Sequence, residues 1–396
     1  MRGLVSRGRG ACRINAPNRS EFAADDIQPT RAKSRFRAVC HADRVDSAVH
    51  PENLLRSYSP NLMKAARIHR YGDPSVLQLD NVPRPEMRPS DVRIRVCATS
   101  VNPVDWKIRS GGQRNIIPLK LPWILGLDVS GVITEIGPKV KRFRVGDEVW
   151  SSPTHRRPGT YAEEVCIDES EISKKPQSIN HDEAASLPLV ALTAYQALAE
   201  SGLLHTGQTV LIHAGAGGVG TAAIQIAKYL GARVITTCSE RNADFVKSLG
   251  ADRVVDYTKT PPETVVSNVD LILDSLGEPA FESNLKMVRH GGRIANIAIN
   301  VPHHVNKHGP FLGTFTMIGA FIKLHTVPLV KKNVTLQHVI KRCDGVMLEQ
   351  LADLVDRGYL KPVIDKVMPL DEIREAHRYS ESNRARGKIV LHVADP

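Results

Sequence analysis

His213-Ala-Gly-Ala-Gly-Gly-Val-Gly220 follows an apolar run, Thr209-Val-Leu-Ile212, and opens a segment with helical spacing, Thr221 to Leu230. Gly215, Gly217 and Gly220 fit G-x-G-x-x-G, with Ala216, Gly218 and Val219 filling the remaining positions. That turn seats a dinucleotide pyrophosphate on a helix N-terminus. Its glycines allow a tight turn, close approach of the backbone to phosphate and close packing of helix on strand. A glycine triplet alone says little. Here the strand before it and the helix after it are both present, which makes the stretch a dinucleotide seat.

Outward from the turn, strand and helix alternate. Ala184 to Ala199 reads as one helix with Pro188 tolerated near its start. The strand Thr209–His213 leads into a helix, Val219–Leu230, stopped by Gly231. The strand Arg233–Thr237 and the helix Ala243–Leu249 follow, then strands at Arg253–Asp256, Asp270–Asp274 and Arg293–Ala298. Such alternation implies right-handed crossovers and a parallel sheet covered on both faces. The half before it differs. Strands are expected at 63–72, 92–96, 129–136, 148–150 and 161–167, punctuated by Gly126, Gly131, Gly137-Pro138, Gly146 and Gly159. Short strands of that spacing suit a compact, mostly β domain. Past Pro302 the clearest signals are an amphipathic helix, Val346 to Val355, and a terminal strand, Gly387 to Val393.

The 396 residues, 42% apolar and 24% charged, support a large core of ordinary globular composition. No uninterrupted apolar run reaches the ~18 residues of a membrane span. Six scattered cysteines without a C-x-x-C pair suggest a reduced compartment and no zinc ribbon. Of the net charge of +11, residues 1–62 contribute +5, from 11 Arg and Lys against six Asp and Glu. The body shows no basic block interleaved with aromatics, which argues against nucleic-acid binding. The leader, 1–62, lacks periodicity and reads as a disordered extension, a mitochondrial-type presequence or sequence upstream of a start at Met63. Asp25, Asp26, Asp43 and Asp46 disfavour the presequence, so a cytoplasmic location is expected, and a mitochondrial one if the leader is a presequence after all.

Several stretches together resemble the zinc-independent quinone oxidoreductase branch of the medium-chain dehydrogenase/reductase superfamily. They are Ser100-Val-Asn-Pro-Val-Asp-Trp-Lys-Ile-Arg-Ser-Gly111, Leu125-Gly-Leu-Asp-Val-Ser-Gly131, Val145-Gly-Asp-Glu-Val-Trp150, Ala184-Ala-Ser-Leu-Pro188 and Leu192-Thr-Ala-Tyr195. The series continues with the glycine turn, Lys247-Ser-Leu-Gly-Ala-Asp252 and Ala385-Arg-Gly-Lys388. Order and spacing carry the resemblance more than any one motif. It implies an α/β fold in which a Rossmann parallel-sheet domain is inserted into a GroES-like, mostly β domain. The expected divisions are a leader at 1–62, a GroES-like catalytic domain at 63–182, a Rossmann domain at 183–332 and a segment at 333–396 that completes the catalytic domain. The family's active site lies between the two domains, and its members often join Rossmann sheets edge to edge, so the resemblance raises a homodimer that no feature of the sequence itself shows.

The resemblance also bears on metal. Zinc-dependent relatives supply a Cys where this chain has Asn102, and a His where Gly126-Leu127-Asp128 stands, and no Cys between Cys166 and Cys238 offers a third ligand. Zinc needs three or four converging N, S or O ligands. His303, His304 and His308 cluster without a paired acid or cysteine and read as a loop. No metal is expected.

NAD-preferring sites place an acid about 20 residues beyond the glycine turn, at the end of the second strand. Here Ser239 and Arg241 fall there, leaving room and a cation for a 2′-phosphate. The plain alternative makes them a helix cap and a solvated side chain, and Glu240 would bind a 2′-hydroxyl if the register shifted by one. The resemblance adds Tyr257 beside that phosphate and Arg384-Ala385-Arg386 near the cofactor. NADPH is the expected cofactor. Ile297 and Ala298, at a strand's carboxyl end, are candidates to line the nicotinamide pocket. By resemblance, Asn102 faces nicotinamide and substrate, and Thr193 seats the nicotinamide end. The alternative for Asn102 is a turn residue before Pro103. Asp105 and Arg109 read as a buried pair shaping a loop, and Asp128 as structural.

These readings converge on a zinc-free NADPH-dependent oxidoreductase that reduces a quinone or an α,β-unsaturated carbonyl, with a small-molecule substrate. The tyrosine that related enoyl-thioester reductases use is missing after Ser110-Gly111, where Gly112-Gln-Arg114 follows. An enoyl-thioester reductase and a low-activity NADPH-binding redox sensor remain the alternatives.

Overall fold

Alternation of apolar and polar side chains sets the first strand, β1 (Leu62–Ile68), with Met63, Ala65, Ala66 and Ile68 buried. The computed structural model describes residues 61–114, 117–298, 326–327, 330 and 332–396. In chain order there follow β2 (Leu77–Pro83), β3 (Asp91–Val101), α1 (Pro103–Arg109), β4 (Trp123–Ile124), β5 (Val129–Ile136), β6 (Glu148–Ser151), β7 (Glu164–Asp168) and β8 (Ile172–Lys174). β1 pairs antiparallel with β2 and with β4. β3 is the axis of a larger sheet, hydrogen-bonded to β5 along its length and to β7 over Asp91–Arg95. Its residues from Val96 to Val101 are all buried, as expected of a strand covered on both faces.

The expected single helix over 184–199 is two, α2 (His181–Ala185) and α3 (Pro188–Tyr195), the second running into a π-helical turn at Gln196–Ser201. Pro188 occupies the first turn of α3, where its missing N–H is harmless, so the chain restarts there instead of continuing. Then come β9 (Thr209–Ile212), α4 (Gly218–Tyr229), β10 (Arg233–Cys238), α5 (Ala243–Ser248), β11 (Arg253–Asp256), β12 (Val269–Asp274), α6 (Phe281–Met287), β13 (Val288–Asn296) and β14 (Thr335–His338). The strands form one parallel sheet in the order β11-β10-β9-β12-β13-β14. That order reverses direction between β9 and β12, the crevice where doubly wound sheets bind ligands. Leu211 on β9 packs one face with Ile235, Ile272 and Ile294, while Ile212 and Val210 pack the other against α4.

The remaining elements are α7 (Gly345–Asp356), β15 (Ile364–Pro369), α8 (Ile373–Glu381) and β16 (Lys388–His392). β16 pairs antiparallel with Ala98–Val101 of β3 and parallel with β15, which returns the end of the chain to the β-rich sheet. Two elements depart from the expected division at 333. β14 joins the parallel sheet beside β13. Helix α7 buries Met347, Leu348, Leu351 and Leu354 in the core cluster that holds α3 and α4.

Leu211 is fully buried at the centre of the parallel sheet. Truncating it leaves a cavity, and Leu211→Ala is expected to lower unfolding free energy by about 2–5 kcal/mol. A urea titration followed by tryptophan fluorescence checks this; a midpoint unmoved from the parent's would contradict the packing described.

Candidate functional site

The glycine turn is held from beneath. His213 Nε2–H donates to Asn284 Oδ1 at 2.8 Å, so Nδ1 is free to accept from the Thr237 hydroxyl at 3.2 Å. Ala214 N–H donates to the same hydroxyl, and Gly215 N–H to the Thr237 carbonyl at 2.9 Å. These bonds hold Ala214 at φ +52, a region costly for a residue with a Cβ. The three signature glycines then differ in what they avoid. A Cβ on Gly215 would lie 2.0 Å from Thr236 Oγ1, and one on Gly220 2.3 Å from the Ala214 carbonyl oxygen. A Cβ on Gly217 would meet only that carbonyl oxygen, at 3.4 Å. Gly217 therefore keeps clear a space that no protein atom fills. It caps α4, whose first intrahelical amide is Thr221 N–H to the Gly217 carbonyl, so the Val219 and Gly220 amides have no partner within the helix. A nicotinamide dinucleotide fits this cradle by its pyrophosphate.

The 2′ end lies where β10 leaves the sheet. Ser239 caps a short 3-10 turn over Glu240–Asn242, and the register pair Cys238–Asp256 brings Tyr257, 58% exposed, out alongside it. The Glu240 carboxylate is held by Lys259 Nζ at 2.6 Å. Arg241 and Arg384 are both near enough to Tyr379 to act on its phenol, whose pKa is raised chiefly by its bond to Asp365 and then by burial, against the pull of the two cations. The Arg386 guanidinium stacks over Phe245 at 4.7 Å. The segment carrying Arg384, Ala385 and Arg386 is clipped to the turn itself: Gly387 N–H donates to the Ala216 carbonyl at 2.9 Å, and Gly217 and Gly387 form a parallel bridge. Residues far apart in the chain thus gather round one cradle.

At the other end, Asn102 caps α1, with Pro103 in the first turn and the Asp105 carboxylate accepting the Asn102 N–H at 2.8 Å. This is a helix, where a loop was expected; Asn-Pro-Val-Asp105 supplies proline at the first helical position and an acid whose carboxylate takes the capping residue's N–H, a signal present in the sequence. The Asn102 side chain is fully buried. Its Nδ2 donates to Asp128 Oδ2 at 2.7 Å and its Oδ1 accepts from the Lys388 ammonium. The amide expected to face substrate is occupied at both ends by protein. Asp128 Oδ1 in turn accepts the Leu189 N–H at 2.7 Å, and the Leu189 carbonyl accepts the Thr193 hydroxyl at 2.7 Å. Asn102 and Thr193 are therefore joined through Asp128 and the start of α3. Ile297 and Ala298 fall just beyond β13, fixed by Ile297 N–H to the Asp274 carbonyl and Ala298 N–H to Asn296 Oδ1.

Two expectations change. Asp105 and Arg109 are not a pair: both are buried, but Asp105 Oδ2 accepts from the Tyr161 phenol at 2.9 Å while Arg109 bonds the Gly72 carbonyl, His377 and Glu381. Their positions on α1 send them to different neighbours, and those of Arg109 on α8 lie some 270 residues away in sequence, beyond what local spacing reveals. The second is Lys388, which the sequence presented as one polar residue of a terminal strand; it is buried and central to the network. Burial pushes the Asp105 carboxyl up to about 7, against the Asn102 and Tyr161 bonds and the Lys388 charge, and raises the Tyr161 phenol well above its usual range. Burial holds the His377 imidazole down at about 3, and the Arg109 charge adds to this.

Around Asn102 the described residues offer a metal no donor set. Among the described residues no three His, Cys, Asp or Glu side chains gather as ligands. Leu127, at the position of the relatives' His, offers no donor, and Asn102 already bonds an ammonium. His303, His304 and His308 lie outside the described residues.

This architecture has known counterparts. Residues 88–177 match the alcohol dehydrogenase GroES-like domain and residues 249–391 the family described as zinc-binding dehydrogenase. The mitochondrial NAD(P)H oxidoreductase RTN4IP1 of Danio rerio is 35% identical over 356 residues, which cover 84% of this chain and 92% of that protein. The 2-methylene-furan-3-one reductase of Solanum lycopersicum is 34% identical, over 84% of this chain and 80% of its own. Among solved structures, the quinone oxidoreductase of Coxiella burnetii superposes with a TM-score of 0.72 at 33% identity, covering 84% of this chain and 99% of that one. The chain belongs to the quinone oxidoreductase branch of the medium-chain dehydrogenase/reductase superfamily. It is an NAD(P)H-dependent oxidoreductase.

Two measurements probe this geometry. Gly217→Ala should leave the thermal midpoint of the free protein unchanged yet weaken dinucleotide binding about tenfold or more, at 1.4 kcal/mol per tenfold. Gly220→Ala should lower that midpoint; equal effects of the two on folding would refute the assignment of the cradle. The second concerns Asp105. Its folded pKa lies above the value near 3.9 of an unfolded aspartate, so the folded state holds a proton the unfolded state has lost. Stability drawn from this group is thus full at low pH and lost as pH rises to about 7. Asp105→Asn should flatten the fall of melting temperature between pH 5 and 7, roughly the interval between those two values; parallel curves for parent and variant would contradict it.

Proposed function

We propose that the chain is a zinc-free, NADPH-preferring reductase of quinones or α,β-unsaturated carbonyls. The observation that carries the cofactor preference is the charge around the end of β10. Glu240 there is ion-paired to Lys259 and Asp256 Oδ1 accepts from the Thr258 amide and hydroxyl, while Arg241 and Arg384 both lie near Tyr379, brought from two segments. A ribose 2′-hydroxyl is recognised by a free acid, a 2′-phosphate by cations. When bound, the cofactor supplies a hydride from its nicotinamide. The chain's part is to hold the pyrophosphate on the first turn of α4 and to fix the cleft wall through Asn102, Asp128 and Leu189.

A quinone suits the site better than an enoyl thioester. The Tyr161 phenol is fully buried and donates to Asp105, which leaves it unable to protonate a substrate carbon. A reduced quinone takes its protons from water and needs no dedicated acid. The name of the Solanum lycopersicum relative supports an enone, and that of the Coxiella burnetii structure a quinone. The mitochondrial address of the Danio rerio relative also supports the presequence reading of residues 1–62 over a cytoplasmic one, and N-terminal sequencing of native protein tests that reading.

In steady-state assays against quinones, enals and enoyl thioesters, kcat/KM should favour NADPH over NADH. Arg241→Ala and Arg384→Ala should each erode that ratio about tenfold or more, as a charge-assisted bond of about 1.5–3 kcal/mol implies. A parent enzyme that prefers NADH sinks the cofactor reading; turnover confined to enoyl thioesters sinks the substrate reading. Metal analysis of purified protein should find no stoichiometric zinc.

A further inference from the structure

We infer that Lys388 is a positioning residue that transmits cofactor seating at the glycine turn to Asn102 and Asp128. The inference rests on the cofactor reading above. Its basis is that two neighbouring residues face two ends of the cleft. Gly387 lies on the glycine turn, its N–H bonded to the Ala216 carbonyl at 2.9 Å. It sits at φ +90, and a Cβ there would come within 2.4 Å of the Val363 carbonyl oxygen, so the contact is available to glycine alone. The next residue sends its side chain the other way. The Lys388 stem passes the first turn of α4, where a Cβ on Gly218 would lie 3.0 Å from Lys388 Cδ. Its ammonium then reaches the Val101 carbonyl at 3.2 Å, Asn102 Oδ1 and Asp128 Oδ2 at 3.4 Å.

An ammonium has three N–H bonds, and here three acceptors surround it. No donor remains for a substrate oxygen, which excludes Lys388 as an acid and leaves it a structural link with a direction. It also settles which way the Asn102 amide points, because only Oδ1 can accept from the ammonium and only Nδ2 can donate to the carboxylate. Asp128 carries the link onward through its bonds to Ser100 Oγ at 2.7 Å and to the Leu189 N–H at 2.7 Å, the amide that precedes the turn bearing Thr193. A phosphate drawn onto α4 fixes the turn, the turn fixes Gly387, and one covalent step later Lys388 fixes the far wall. Burial lowers the Lys388 pKa and Asp128 opposes that shift, as expected where the charge is kept by its partner.

Hydrogen exchange with and without NADPH tests this, with each protein at saturation by its own dissociation constant. Two amides report on the far wall: Asn102 N–H, bonded to Asp105, and Leu189 N–H, bonded to Asp128. In the parent, NADPH should slow exchange at residues 214–220 and also at Asn102 and Leu189, the latter by at least about fivefold, the low end of ordinary coupling between sites. In Lys388→Met, protection at 214–220 should persist while that at Asn102 and Leu189 is lost. A merely structural role would leave the cofactor-dependent difference at those two amides in place. The double variant Lys388→Met/Asp128→Asn removes both charges of the pair and is read at Asn102 N–H, whose acceptor Asp105 it leaves unchanged, should the single variant fail to fold. Undiminished protection at Asn102 and Leu189 in the single variant, or at Asn102 in the double, overturns the inference alone. Absence of protection at 214–220 in the parent overturns the cofactor reading and the inference with it.

Discussion

Keeping the Lys388 ammonium charged without water is the constraint that shapes the middle of the molecule. A buried cation is tolerated only where acceptors replace its hydration, and here they come from Val101, Asn102 and Asp128. Those acceptors end β3 and precede β5, while the lysine opens β16. The ion pair can form only if the end of the chain returns to pair with Ala98–Val101. The β-rich sheet, the start of α3 and the strand clipped to the glycine turn all meet at this one charge.

The glycine signature divides into two kinds of demand. Gly215 and Gly220 answer to the protein, whose own atoms leave no room for a side chain, and Gly217 answers to what binds. A pattern search treats the three alike. The difference bears on what each position tolerates: the first two are bound to the fold, and the third is not.

How much of this the sequence held follows from how local each cause is. The parallel strands were legible because each is an apolar run closed by glycine or a turn, and Arg253–Asp256 and Val129–Ile136 match their expected limits. The cradle was legible for the same reason. Where a residue's fate is decided by distant partners, the sequence was silent. Arg109 looked like a mate for Asp105 four residues earlier, yet its partners Glu381 and His377 stand on α8. Asn102 carried the right neighbours for a cleft residue, but only the packed structure shows that an ammonium and a carboxylate occupy its amide. Helix α1 was a different case, since proline at its first position and Asp105 at its third are local signals present in the sequence.

The same return of the chain has a consequence for synthesis. Val101 and Lys388 are 287 residues apart, so β3 is made long before the strand that covers its inner edge. Until β16 arrives, Ala98–Val101 presents unpaired amides and carbonyls next to a carboxylate, Asp128, with no cation beside it. The parallel sheet has no such debt, because β9 through β13 are contiguous neighbours in the chain apart from one crossing. The Ala98–Val101 edge therefore stays open until the end of the chain is made, exposed to wrong pairing for the interval between.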